Sequence, residues 1–237
     1  MTSKLTDPDW QTLDQTIIKC RRCPRLVQWR EEIAQIKRKA YREQEYWGKP
    51  VTGFGDHHAR VLIVGLAPGA HGSNRTGRMF TGDSSGVFLY SSLFRASFAN
   101  QGVSTHRDDG LLLNDLFISA LCRCAPPSNK PTPQEIINCQ PFLKREIELL
   151  NGLQGFVALG RLAFDNLLKI YKEKYSISLG KEIKFSHGAL YEFENTLPWL
   201  LTSYHPSRQN TQTGKLTTEM FDAIWDSVRK KLLYVNS

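Results

Sequence analysis

The chain has 237 residues, 41% hydrophobic and 23% charged, with 17 Gly and 11 Pro, a balance that suits one well-cored α/β domain and excludes a disordered or low-complexity protein. Lys plus Arg exceed Asp plus Glu by 31 to 23, a net charge of +8 that favours a polyanionic partner, nucleic acid first. No apolar run reaches membrane-spanning length and the opening residues are polar and acidic around Asp7 and Asp9, which speaks against a secretory signal and for a cytoplasmic protein.

In chain order, Thr6-Asp7-Pro8 is a start signal for a short helix toward Ile18, and apolar residues at helical spacing over 25–47 predict a second, strongly charged helix. Cys20 and Cys23, a C-x-x-C pair, fall between them. The run Arg60-Val61-Leu62-Ile63-Val64-Gly65 predicts a buried parallel strand feeding a loop, with a helix over 84–100. The alternation continues as strand 111–121, helix 133–150, strand 155–159, helix 161–174, strand 199–204 and helix 215–233, with 182–195 an extended or hairpin excursion. Such alternation predicts a three-layer α/β fold, a central parallel sheet flanked by helices. Ligands of such sheets bind beyond the carboxyl ends of the strands, so the loops after Gly65, Leu121 and Ser203 are expected to converge.

Those loops carry unusual sequence. Residues 65–83, GLAPGAHGSNRTGRMFTGD, hold five glycines, which let the backbone approach a ligand closely. The loop has neither the G-x-x-x-x-G-K-[ST] nor the G-x-G-x-x-G spacing, so it supports neither a nucleoside triphosphate loop nor a dinucleotide fingerprint. Residues 203–210, SYHPSRQN, put His205 at the end of an apolar strand, on the expected ligand edge. His57 and His58 read as a polar turn. Five cysteines, an odd count without an export signal, argue for metal ligation or free thiols rather than a disulfide framework.

These two loops, with the segments Asn114-Asp115-Leu116-Phe117-Ile118-Ser119-Ala120 and 123–133 (RCAPPSNKPTP), resemble the motifs of the uracil-DNA glycosylase superfamily in its family 5 form. The likeness runs from Cys20 to about Lys215. It implies a sheet of about four parallel strands and a pocket that receives a base swung out of the duplex, at a cost of roughly a few kcal/mol. It also implies hydrolytic removal of uracil from double-stranded DNA by a monomer, the first step of base excision repair. Hypoxanthine, xanthine and other deaminated bases become further candidates, because Ala67 offers no polar side chain at the strand end. No lysine in the motifs is placed for a Schiff base, so an abasic site is the expected product.

The resemblance assigns roles residue by residue. His205 is the donor to the leaving base, and a neutral imidazole performs that task without losing its proton. Phe80 is the aromatic that stacks on the base. Backbone N–H groups of Gly65, Leu66 and Ala67, with Asn74 nearby, are expected on the base edge. Asn114, Asn74 and Asp83 are the candidates to orient water; Asp83 alone is a carboxylate base, and it is equally placed to cap the following helix. Apart from the resemblance, Arg75, Arg78, Arg208, Lys215 and Ser207 lie near these loops and are expected on DNA phosphates. Cys20, Cys23, Cys124 and Cys139 match the cysteines that hold a [4Fe-4S] cluster in such enzymes, pinning the N-terminal helices (about 8–47); spacing alone leaves zinc open, and Cys122 is left over. Two rivals keep the same fold class: a catalytically silent DNA-damage-binding protein and a zinc-stabilised nucleotide hydrolase.

Overall fold

The computed structural model describes residues 8–178, 180, 182–193 and 197–234; Thr6, Asp7 and Asn195, which enter the expectations above, lie outside the described residues. Helices α1 (Pro8–Ile18) and α2 (Pro24–Ile36) precede strands β1 (Phe54–Gly55) and β2 (Val61–Gly65). A loop carrying the single turn α3 (Ser73–Thr76) leads to α4 (Ser84–Arg95) and β3 (Leu116–Ala120). There follow α5 (Pro133–Leu149), β4 (Gly155–Leu159), α6 (Arg161–Tyr175), β5 (Leu190–Tyr191), β6 (Trp199–Ser203), α7 (Arg208–Gln212) and α8 (Thr218–Tyr234).

The sheet order is β1-β3-β2-β4-β6-β5. Its four inner strands are parallel, as expected, and β1 and β5 add short antiparallel edges, so the sheet is six-stranded and mixed. Every residue of the inner strands is buried, which explains why they read as continuous apolar runs. The period of two still sorts their side chains. Val61, Ile63, Val157 and Leu201 enter the core under α4 and α8, while Leu62, Val64, Phe156 and Leu200 enter the core under α1, α5 and α6. At about 1.5–3 kcal/mol for each large apolar side chain taken out of water, these two layers dominate the favourable side of folding.

The three largest boundary differences from expectation each have a local reason. Helix α2 stops at Ile36, where Lys37 takes a φ of 59°. Beyond it the backbone bonds elsewhere: Trp47 N–H donates to Arg75 O, Gly48 N–H to Asn74 O and Val51 N–H to Arg123 O, so long-range pairing overrides the helical spacing. Ser97, at a φ of 59°, ends the turn after α4 well before residue 100. Asp115, at a φ of 60°, delays β3 to Leu116 instead of residue 111.

Candidate active site

Parallel register brings the carboxyl ends of the inner strands to one edge, with Gly65 beside Ala120 and Leu159 beside Ser203. The loop after β2 leaves this edge, turns through α3 and returns with Phe80 in the left-handed region at a φ of 52°. That turn lays the Phe80 ring over Gly65 so closely that a methyl group at residue 65 would stand 3.0 Å from Phe80 Cζ. Glycine is therefore required at the strand end if the ring is to rest there. On the other side, the Phe80 and His205 ring centroids are 5.8 Å apart, inclined by 30°. Two segments separated by more than a hundred residues thus meet where the sequence places them.

Burial drives the His205 pKa down to about 4, so the imidazole is neutral at physiological pH. Its backbone is held on both sides. Asn210 Nδ2 donates to His205 O at 2.8 Å, and Ser207 caps α7 by accepting from Asn210 N–H. Tyr204 N–H donates to His187 Nδ1 at 3.2 Å, which leaves the His187 proton on Nε2, 3.3 Å from Met220 O. The His187 ring stacks on Tyr204, with centroids 5.0 Å apart. His187 carries no motif signal; it sits in the excursion before β6, and only the tertiary fold turns it toward the strand end.

Asp83 is the N-cap of α4, accepting from Gly86 N–H through Oδ1 at 3.0 Å. Its second oxygen faces the glycine-rich loop: methyl groups at Gly69 or Gly72 would stand 2.8 and 2.0 Å from Oδ2. Burial holds this carboxyl above the usual carboxylate range, against the pull of the capping N–H. The capping role is realised, and one oxygen remains directed at the loop.

Several expected contacts are relocated. Asn114 is exposed and precedes β3, at the edge of the sheet opposite His205; at about 3.3 Å per residue it is roughly 20 Å from Ala120, too far to orient water there. Asn74 is fully buried and donates through Nδ2 to Arg30 O at 3.1 Å, so it fastens the loop instead of reading a base. Arg75 is buried, bonds His71 O, Gln44 Oε1 and Gly82 O, and packs its guanidinium 4.0 Å over the Tyr41 ring. Arg78 is buried against Asp109 in a two-pronged ion pair of 2.7 and 2.8 Å. Both arginines are internal bolts of the loop, because their donors are consumed within the protein. Arg208 and Lys215 are exposed next to the His205 loop, with Lys215 Nζ 4.9 Å over the Tyr204 ring.

Cys20, Cys23, Cys124 and Cys139 line one cavity, walled further by Leu26, Val27, Pro50 and Phe142. Nitrogen donors point at three of the sulfurs: Arg30 Nη1 at Cys124 Sγ (2.9 Å), Arg123 N–H at Cys139 Sγ (3.3 Å) and Asn138 Nδ2 at Cys23 Sγ (3.5 Å). Donors of this kind suit thiolates. Burial pushes Cys124 up to about 12 and also raises Cys23, so cationic iron or zinc is what would keep them deprotonated. Among the described residues, no three His, Cys, Asp or Glu side chains gather at the spacing of a single-ion site. Cys122 is buried beside Cys139, outside the cavity wall.

The family model for the uracil DNA glycosylase superfamily matches residues 52–229. A type-5 uracil-DNA glycosylase of Thermus thermophilus is 50% identical over 90% of this chain and 94% of its own length. That of Mycobacterium leprae is 47% identical over 92% and 93%, and that of Pyrobaculum aerophilum 42% identical over 86% and 84%. With its glycine-rich loop and histidine loop joined at one strand edge, the chain belongs to the uracil DNA glycosylase superfamily, in its type-5 branch.

Proposed function

We propose that the chain is a monofunctional uracil-DNA glycosylase, which accepts a uracil swung out of DNA and hydrolyses its N-glycosidic bond, leaving an abasic site for base excision repair. The meeting of Phe80 with a neutral His205 at the strand edge carries this reading. Cleavage leaves negative charge on the base and oxocarbenium character on the sugar, so the helpful group is a donor aimed at the base oxygen. His205 donates without first giving up a proton, and Phe80 offers a flat face for stacking. Gly65, Leu66 and Ala67 supply backbone groups at the end of β2. With no polar side chain there, the pocket also takes hypoxanthine, xanthine and other deaminated bases. Asp83 orients the water through Oδ2, since Asn114 and Asn74 are placed elsewhere.

Double-stranded DNA is the partner, gripped by Ser207, Arg208 and Lys215 beside His205, and a cytoplasmic monomer folded as one domain is the working form. Cys20, Cys23, Cys124 and Cys139 hold a [4Fe-4S] cluster, supported by the cavity they share and the N–H donors on their sulfurs. When bound, the cluster supplies a crosslink between the N-terminal helices and the segment after β3; base hydrolysis moves no electrons. Incubation with a uracil-containing duplex followed by alkali tests the activity: strand breaks are expected, reduced about 10²- to 10³-fold in rate by His205→Ala. Undiminished cleavage by that variant, or none by the wild type, refutes the proposal. Iron analysis and brown absorbance test the cluster, and zinc without iron overturns it.

A further inference from the structure

Arg30 lies on α2 with its side chain 2% exposed. Its Nη1 donates to Cys124 Sγ at 2.9 Å and to Cys20 O at 3.3 Å. Its own carbonyl accepts from Asn74 Nδ2 at 3.1 Å, and Asn74 is fully buried in the loop that carries Phe80. One residue therefore touches a cysteine of the cavity with its side chain and the glycine-rich loop with its backbone.

A guanidinium taken out of water needs negative charge close by. Glu31 stands 3.5 Å from Arg30 Nη2, but it is partly exposed and already bonded by both ends of Arg21. Arg30 Nε is buried without a hydrogen-bond partner. A metal-bound thiolate at Cys124, 2.9 Å from Arg30 Nη1, would supply that counter-charge. The chain after α2 extends the same support, since Gly48 N–H donates to Asn74 O and Trp47 N–H to Arg75 O. Tyr46 Oη also meets His71 Nδ1 at 3.0 Å.

We propose that Arg30 is a positioning residue that ties the cluster to the glycine-rich loop, its guanidinium fastening Cys124 and its carbonyl fastening Asn74. The inference rests on the reading that the four cysteines hold an iron-sulfur cluster. An N–H donor and a positive charge on a ligating sulfur make the cluster easier to reduce and slower to lose. A cluster that fixes α2 fixes the Arg30 carbonyl, and the loop under Phe80 follows.

The test compares the purified holoprotein with Arg30→Met, Arg30→Lys and Asn74→Ala. Arg30→Met is expected to move the cluster's midpoint potential to more negative values and to release iron to a chelator about 10- to 100-fold faster. Arg30→Lys keeps the charge and recovers part of the midpoint. Asn74→Ala slows single-turnover excision of uracil but leaves the midpoint at the wild-type value, because it bonds the Arg30 backbone. Hydrogen exchange of the wild type, before and after oxidative removal of the cluster, gives a measure that needs no variant: amides over 69–77 lose protection together with those of α2. A midpoint and release rate unchanged in Arg30→Met, or loop exchange indifferent to the cluster, overturns the proposal while leaving the cluster reading intact. Wild-type protein without iron overturns both.

Discussion

Arg78 offers the sharpest test of how the loop is built, because its place beside the site loops led to the expectation of a phosphate contact and the structure places it inside the protein. Its side chain is 4% exposed and that of Asp109 is 7% exposed, with two N–H···O bonds between them. Further bonds from Arg78 reach Thr81 Oγ1, Ser104 Oγ and Arg107 O. Asp109→Ala leaves this guanidinium buried with only neutral partners, and removing one member of a buried pair costs about 3–5 kcal/mol. At roughly 2–4 °C per kcal/mol for a chain of this size, the melting temperature should fall by about 10 °C. Arg78 and its neighbours also hold Asp109 well below the usual carboxylate range, so the pair's stabilisation is present at neutral pH and is lost on acidification. Urea denaturation of wild type, Asp109→Ala, Arg78→Met and the double variant measures the cycle. DNA affinity measured at several salt concentrations with Arg78→Met completes it. A phosphate contact would lower the salt slope by about 0.9 and leave stability alone; a bolt lowers stability and leaves the slope alone. Loss of less than about 1 kcal/mol in Asp109→Ala, with a reduced salt slope in Arg78→Met, refutes the internal role.

Gly65→Ala places a methyl group 3.0 Å from Phe80 Cζ, and displacement of the ring should slow single-turnover excision by about 10²-fold with little change in duplex affinity. His205 has a folded-state pKa near 4 against 6.5 for the free side chain, so folding stability should decline as pH falls from 6.5 to 4, by about 3 kcal/mol in all. Denaturant titrations that find His205→Gln as acid-sensitive as wild type would contradict a neutral imidazole in the folded site. Arg208→Gln and Lys215→Gln should each weaken DNA binding alike for all sequences and lower the salt slope by about 0.9, read by fluorescence anisotropy. Asn114→Ala should keep wild-type excision kinetics and lie within about 0.5 kcal/mol of wild-type stability, because its side chain is exposed at the opposite sheet edge.

Local signals carried much of this protein. Apolar runs of strand length wrote out β2, β4 and β6, since strands buried on both faces need no alternation. The helix expected over 133–150 is α5, whose start the structure fixes with a capping box of Thr132 and Glu135. The glycines of 65–83 and the histidine just after β6 were legible as a site because both require special backbone or chemistry at a strand end. The region 37–51 was not legible, because its hydrogen bonds run to Arg75, Asn74 and Arg123, partners remote in sequence.

Sequence and the family resemblance together named the pieces, namely a histidine, a ring expected to stack, a glycine strand end and four cysteines. Only the tertiary structure decided which polar residues face outward and which are consumed within. Arg75, Arg78, Asn74 and Asp83 look alike in the motif, each a polar group beside glycines. The first three are buried and bonded to the protein's own carbonyls, hydroxyl and carboxylate groups, while Asp83 keeps one oxygen on the loop. The physical reason is that a hydrogen-bond donor is indifferent to the origin of its acceptor: a carbonyl brought near by the fold satisfies it as well as a phosphate, and sequence spacing contains no record of which arrives.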